Sequence, residues 1–178
     1  MTEISFVMSA IALILYSLSY FFNNKKGFLI SQLSGNVFLS VSYLIMGSYF
    51  TMISVLIGIA RGLLCFLYER RDKKVPVYVV LSLCSATVIS FVVINCIILS
   101  DASPWDILYL CASCMYSITF AMRNIKLMRY VSLVPHTVAV AYNLLIHAPF
   151  TSAISYAIEL AVTVVAIIKF DFIGRKKK

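Results

Sequence analysis

Charged side chains are scarce in this sequence, at 12% of the residues, whereas 62% are hydrophobic. A typical soluble domain carries about 25% charged residues and needs them to cover its surface. So few charges over so much apolar surface exclude a soluble globular domain. Catalytic signatures are also missing, because the sequence contains no His-rich metal cluster, no glycine-rich phosphate loop and no Ser/His/Asp grouping. We therefore predict neither an enzyme nor a bound cofactor.

The cysteines lack the surroundings that redox chemistry requires. All five lie within apolar segments: Cys65, Cys84, Cys96, Cys111 and Cys114. A reactive thiol needs a helix N-terminus, cationic neighbours and solvent, which such segments do not provide. We interpret these residues as small apolar packing groups.

Seven apolar segments divide the chain. A hydrocarbon core about 30 Å thick needs roughly 20 helical residues to cross it, and the segments are near that length. They lack the alternating pattern of a membrane barrel, so helices are the remaining way to satisfy the backbone in lipid. The sequence therefore predicts an all-α membrane protein with seven transmembrane helices: Ile4–Phe22, Phe28–Met46, Tyr49–Tyr68, Val75–Leu99, Ile107–Met122, Leu127–Ile146 and Thr151–Phe172.

Lysine and arginine are absent from every second connector between these segments. Fourteen of the fifteen cations fall on one side of the predicted membrane, and the fifteenth, Arg61, lies inside a segment. The positive-inside rule assigns the basic side to the cytoplasm, so the N-terminus is expected outside and the C-terminus inside. The rule also explains the net charge of +8, so the expected partner is a lipid bilayer rather than nucleic acid. Met1-Thr2-Glu3 is acidic, and the first segment is expected to persist rather than be cleaved.

A weak internal repeat appears when the sequence is shifted by 100 residues. Tyr16-Ser17 then matches Tyr116-Ser117, and Asn24 matches Asn124. Because one helix separates the two sets of three, both sets cross the membrane in the same direction. We predict two parallel three-helix bundles joined by a linker helix. The first repeat spans residues 1–74, the linker helix 75–100, and the second repeat with its basic tail 101–178.

Two charges lie at membrane depth, on the third and seventh segments. Arg61 is ~18 Å and Glu159 ~12 Å from the outer surface at 1.5 Å per residue. A charge at the bilayer centre costs at least ~2.5–3.5 kcal/mol, which an ion pair between the two halves would offset. The pair is interpreted either as a site for a charged substrate or proton, or as a structural lock between the halves.

Uncharged polar groups at similar depth complete the candidate binding set. Asn36 and His136 occupy equivalent positions of the repeat, and Gln32 and Asn143 lie on the same two segments. Such groups bind solutes or protons in some membrane proteins and join helices in others. Tyr16 and Tyr116 lie near the middle of their segments, where they line a cavity or bond neighbouring helices. Tyr20, at a segment end, is expected to anchor at the interface.

Several short motifs resemble those of the YgjV-type bacterial inner-membrane proteins. The first half contributes Phe21-Phe22-Asn23, Gln32-Leu33, Gly47-x-Tyr49 and Arg61, and the second contributes Met128-Arg129, Asn143 and Glu159. The resemblance covers roughly residues 20–170. It implies a multi-pass location in the bacterial inner membrane, without implying an activity.

The helix layout is also similar to that of the SWEET, MtN3 and PQ-loop transporters. Members of those families move sugars, amino acids or vitamins through a cavity between two triple-helix bundles. This chain has no Pro-Gln pair, and Pro135 is the one plausible counterpart of their helix prolines. Charged residues stand where sugar transporters have neutral polar ones, which favours a charged or zwitterionic solute.

Two functions therefore follow from the sequence. The first is a transporter of a small polar or charged metabolite that works by alternating access between the two repeats. The second is a non-transporting membrane scaffold or assembly protein, in which Arg61 and Glu159 form a structural lock. The sequence leaves a homo-oligomer open in either case.

Overall fold

A computed structural model describes residues 2–47, 49–93, 105–145 and 150–173, and over these residues the chain forms helices and no strands. The predicted all-helical fold is confirmed, with helices close to the predicted segments. They are α1 (Thr2–Ser19), α2 (Lys25–Ile45), α3 (Tyr49–Arg70), α4 (Val77–Phe91), α5 (Asp106–Ala121), α6 (Ile125–Leu145) and α7 (Phe150–Ile167). A π-helical turn, Ile168–Ile173, continues α7.

Length and hydropathy identify one of the described helices, Lys25–Ile45, as long and apolar enough to cross a membrane. Shorter apolar helices of 10–17 residues are Glu3–Ser19 in α1, all of α4 (Val77–Phe91) and Leu110–Ala121 in α5. The seven-span topology and the outward N-terminus stay predictions. The predicted turn at Ser48 and the loop at 147–149 lie outside the described residues.

Matching asparagines begin the second helix of each predicted repeat. The Asn24 side chain accepts a hydrogen bond from the backbone N–H of Gly27, 2.6 Å away. The Asn124 side chain accepts from the backbone N–H of Lys126 at 3.0 Å. Both satisfy N–H groups that have no partner within the first helical turn. Helix capping is therefore a physical reason for the Asn24/Asn124 identity.

Polar side chains are buried inside the bundle, and large apolar ones cover its outside. Phe6, Val77 and Tyr78 are 72%, 74% and 69% exposed. The buried polar residues are Ser5, Ser19, Lys25, Ser31, Gln32, Ser42, Ser117, Thr119, Arg129, Ser132, His136 and Thr163. A soluble protein would have the opposite arrangement, because water stabilises exposed polar groups and not apolar ones. An apolar exterior of this extent is suited to lipid.

Helix packing follows the chain order. α2 packs against α1 and α3, and α6 packs against α5 and α7. α4 contacts both α5 and α3, while contacts of α1 with α7 and of α3 with α5 connect the two sets. An apolar core lies at one end of the bundle and contains Tyr20, Phe28, Leu29, Cys65, Phe120, Met128 and Ala166. The division into two repeats and a linker stays a prediction.

Two of the cations that the sequence assigns to the basic loops are buried at that same end. The Arg129 guanidinium donates to the backbone oxygens of Tyr20 and Phe22, at 3.1 and 2.8 Å, and lies over the Phe170 ring. Lys25 forms an ion pair with Glu69 at 3.4 Å. Arg129 thus donates hydrogen bonds to carbonyls that follow directly after α1. The C-terminal end of a helix has unpaired acceptors and a partial negative charge, which a cation stabilises.

Candidate functional site

The candidate residues lie on six helices that face one another. They are Tyr16 on α1, Gln32 and Asn36 on α2, Arg61 on α3, Tyr116 on α5, His136 and Asn143 on α6, and Glu159 on α7. The side chain of Asn143 lies outside the described part of the structure. The other seven and Tyr20 are connected in series by the contacts described below, and we refer to these eight residues as the polar centre.

Hydrogen bonds connect the α1 and α2 members of the polar centre. The Tyr16 hydroxyl donates to Asn36 Oδ1 at 3.0 Å, and the Asn36 amide donates to the Gln32 backbone oxygen at 3.0 Å. The Gln32 amide in turn donates to Ser19 Oγ at 2.9 Å. Gly35 makes the close approach possible, because a Cβ atom there would lie 2.6 Å from the Tyr16 ring. The packing of α1 against α2 thus requires a glycine at this position.

Arg61 extends from α3 to α5. Its Nη1 atom donates to the Ser113 backbone oxygen at 3.2 Å and to Ser117 Oγ at 3.3 Å. The guanidinium carbon lies 5.0 Å from the centre of the Phe120 ring and 5.9 Å from that of Tyr116. These groups disperse its charge, since hydroxyls, carbonyls and ring faces all attract a cation. The side chain is half-buried, so it is not sealed from its surroundings.

Gly58 lies one turn before Arg61 and brings α3 close to α2. A Cβ atom at this glycine would lie 3.2 Å from Asn36 Oδ1 and 3.8 Å from Arg61 Nη2. Asn36 and the guanidinium therefore approach the same point between the two helices. The close approach at Gly58 therefore places the Tyr16–Asn36 pair and the Arg61 guanidinium in one site.

His136 is fully buried, with 0% exposure, and both ring nitrogens are bonded. Nδ1 contacts the backbone oxygen of Ser132. Nε2 lies 3.1 Å from the Tyr20 hydroxyl and 3.1 Å from Glu159 Oε2. The Glu159 side chain is 13% exposed. An ionisable pair this deeply buried is stable only when it is neutralised and hydrogen-bonded.

Tyr116 lies between Arg61 and His136. Its ring centre is 5.9 Å from the Arg61 guanidinium carbon and 5.4 Å from the His136 ring centre. Glu159 in turn contacts His136, so a series of contacts leads from Arg61 through Tyr116 and His136 to Glu159. The two charges therefore share one environment between the halves. Their direct ion pair stays a prediction.

Tyr20 was wrongly expected to anchor at the membrane interface. α1 ends at Ser19, and the turn that follows directs Tyr20 inward, where it is 1% exposed and contacts His136. In the predicted segment Ile4–Phe22, its spacing of four residues from Tyr16 would put both on one helical face, which is the signal that could have identified it. Ser117 was identified only as a repeat identity, and its role as a partner of Arg61 depends on the packing of α3 on α5.

An apolar helical exterior around a buried polar centre defines an integral membrane protein. A family model described as Imp-YgjV, bacterial inner membrane protein, matches residues 3–172. The chain belongs to this family, and its location is the bacterial inner membrane. The resemblance inferred from the short motifs is thereby confirmed. No curated protein and no solved structure matches the chain, so the likeness to SWEET transporters stays a prediction.

Proposed function

We propose that the protein transports a small polar or charged solute by alternating access between its two predicted three-helix repeats. The observation that carries the proposal is the composition of the polar centre. Its members come from α1, α2 and α3 on one side and from α5, α6 and α7 on the other. A solute site between two moving halves needs such a division, because each half must release its contacts in turn.

The contacts between the halves are of a kind that a solute can replace. Arg61 binds α5 through one carbonyl and one hydroxyl. Hydrogen bonds of a charged group contribute about 1.5–3 kcal/mol each, and a solute that offers equivalent acceptors compensates for their loss. Exchange of these partners for groups of the solute would couple binding to separation of α3 from α5.

The charges of the polar centre indicate the class of solute. A guanidinium recognises carboxylates and phosphates through paired N–H donors. Asn36 and Tyr16 add neutral hydrogen-bonding groups beside Arg61. A small anion or zwitterion is the solute class that these groups fit best.

A scaffold function has one observation in its favour. The Glu159 carboxylate is already bonded to His136, which is fully buried. Pairs of this kind also hold helices together without binding any solute. In that function the polar centre would stay closed to water at all times.

Access of water to Ser117 distinguishes the two functions. We would replace the five native cysteines, introduce Ser117→Cys, and label the thiol with a membrane-impermeant maleimide. Right-side-out and inside-out membrane vesicles expose opposite faces of the protein. Because Ser117 Oγ lies 3.3 Å from Arg61 Nη1, its reactivity reports on solvent at the cation. Alternating access predicts labelling from both faces.

Ser42→Cys provides the matched control. Ser42 is 0% exposed and bonds Ser9 Oγ and the Ser5 backbone oxygen within the first set of helices. We expect no labelling of this variant in either vesicle. If Ser117→Cys behaves like Ser42→Cys, the transport proposal is wrong and the scaffold function is favoured.

A further inference from the structure

The hydrogen-bond partners of His136 determine where its first proton lies. Nδ1 contacts the backbone oxygen of Ser132, and a carbonyl oxygen accepts hydrogen bonds without donating any. Nδ1 must therefore carry a hydrogen and donate it. In a neutral imidazole only one ring nitrogen is protonated, so Nε2 is then an acceptor with a lone pair.

Nε2 lies 3.1 Å from an oxygen of Glu159, which is a hydrogen-bond distance. An ionised carboxylate also only accepts. Two acceptors at this separation repel one another unless a hydrogen lies between them. The Tyr20 hydroxyl can donate to Nε2 from 3.1 Å, but that hydrogen does not bridge His136 and Glu159. One additional proton is needed on either Nε2 or the carboxyl group.

From this geometry we propose that His136 and Glu159 together form a proton-binding site, and that the proton is the coupling ion of the transporter. The second part rests on the proposed function. One proton taken up by neutral His136 and ionised Glu159 converts a pair of charge −1 into a neutral one. No other bond forms or breaks, and loss of the proton restores the charge of −1.

Groups on several helices face this pair. The Tyr20 hydroxyl approaches Nε2 from the turn after α1, and the Tyr116 ring of α5 lies 5.4 Å from the imidazole. Tyr16 of α1 and Tyr156 of α7 are the next titratable groups nearby. Arg61 of α3 is the cation on the far side of Tyr116. When the proton leaves, the carboxylate is an uncompensated buried anion, which strongly attracts a nearby cation.

The surroundings therefore link proton binding to Arg61. The proton and the guanidinium compete to neutralise the same carboxylate. Proton release draws Arg61 away from Ser113 and Ser117, which loosens α3 from α5. Proton uptake returns Arg61 to α5. The site thus connects protonation to the contact between the halves.

Magnetic resonance tests the proton directly in the full-length protein. The chain has two histidines, so His147→Gln leaves His136 as the single ¹⁵N-labelled imidazole. Its three glutamates allow ¹³C labelling of Glu159 with few overlapping signals. In lipid nanodiscs at pH 7 we expect either an imidazolium with both nitrogens protonated or a protonated Glu159 carboxyl. A neutral His136 together with an ionised Glu159 would overturn the proposal.

Glu159→Gln is the matched variant. Its amide can itself donate to Nε2, so the contact is kept without the additional proton. We expect a neutral His136 with hydrogen on Nδ1 alone. An imidazolium that persists in this variant would show that Glu159 does not hold the proton, and would also overturn the proposal. The wild-type spectra remain decisive if the variant fails to fold.

Labelling of Ser117→Cys separates proton binding from transport. With Glu159→Gln added, we expect labelling from one face to slow by about tenfold or more, since one of two conformations becomes a minor state. Unchanged labelling from both faces would show that the proton is not the coupling ion. Absence of labelling from either face without Glu159→Gln would refute transport, while the spectra would still decide whether the pair binds a proton.

Discussion

Replacement of Arg129 by methionine tests whether a buried cation joins α6 to the end of α1. The residue is 2% exposed, and its guanidinium donates to the backbone oxygens of Tyr20 and Phe22 and to Asn23 Oδ1 at 3.2 Å. Methionine replaces the aliphatic part of the arginine side chain and has no donor. The change therefore leaves all three acceptors in position and removes what they bind.

The expected loss of stability follows from the burial of those acceptors. Tyr20 is buried, so its carbonyl is left without water or a donor, at a cost of about 1–3 kcal/mol. Phe22 and Asn23 are exposed, and water replaces most of what they lose. Contact of the cation with the Phe170 ring, 4.9 Å away, contributes a further ~0.5–1 kcal/mol. Relief from burying a charge offsets part of the sum, which leaves about 1–3 kcal/mol.

The free energy of unfolding can be measured by titration with SDS in mixed micelles, followed by circular dichroism. Lys126→Met is the matched control, because it removes a cation from the same helical turn with no side-chain contact described above. It should change stability by less than ~0.5 kcal/mol. Arg129→Lys keeps the charge and fewer hydrogen bonds, and should fall between the two. Equal stability of Arg129→Met and Lys126→Met would refute the reasoning.

Two further predictions concern the polar centre. Gly35→Ala adds a Cβ atom 2.6 Å from the Tyr16 ring, and such overpacking should lower the free energy of unfolding by about 1–3 kcal/mol in the same titration. Tyr20→Phe removes the hydroxyl that contacts His136 at 3.1 Å and keeps the ring, so it should lower stability by about 0.5–1.5 kcal/mol.

Each of these predictions has its own control. Tyr16→Ala removes the ring that the new methyl group meets. Adding Gly35→Ala to the Tyr16→Ala variant should therefore cause no further loss of stability. A persistent loss would mean that the ring is not the obstacle. Tyr130→Phe, on the same helix as His136, removes a hydroxyl with none of the contacts described above. If it destabilises the protein as much as Tyr20→Phe, the His136 contact is not responsible.

Composition and segment length alone predicted the helical class and the approximate positions of the helices. The predicted segment Phe28–Met46 became α2, Lys25–Ile45, and Leu127–Ile146 became α6, Ile125–Leu145. Both helices begin earlier than their apolar runs because Asn24 and the matching Asn124 cap them. Capping is local, and the asparagines were visible in the sequence. Only the bonds they make showed where each helix starts.

Much of the polar centre was also predictable, because a polar group in an apolar segment is conspicuous wherever it packs. Arg61, Glu159 and His136 were identified in this way. Their contacts were not, since neither the bonds from Arg61 to α5 nor that from His136 to Glu159 is a property of one segment. These partners are 23 to 56 residues apart in the sequence, and whether they meet depends on how each helix is rotated about its axis.

The sequence by itself determined that this is a helical membrane protein and which residues are too polar for lipid. The tertiary structure alone decided that Tyr20 and Arg129 are interior residues and that Tyr116 lies between Arg61 and His136. The reason is physical. In a soluble helix the apolar face indicates the inside, but lipid and protein interior are both apolar. Hydropathy therefore does not reveal which face of a membrane helix turns inward, and only packing against the other helices fixes it.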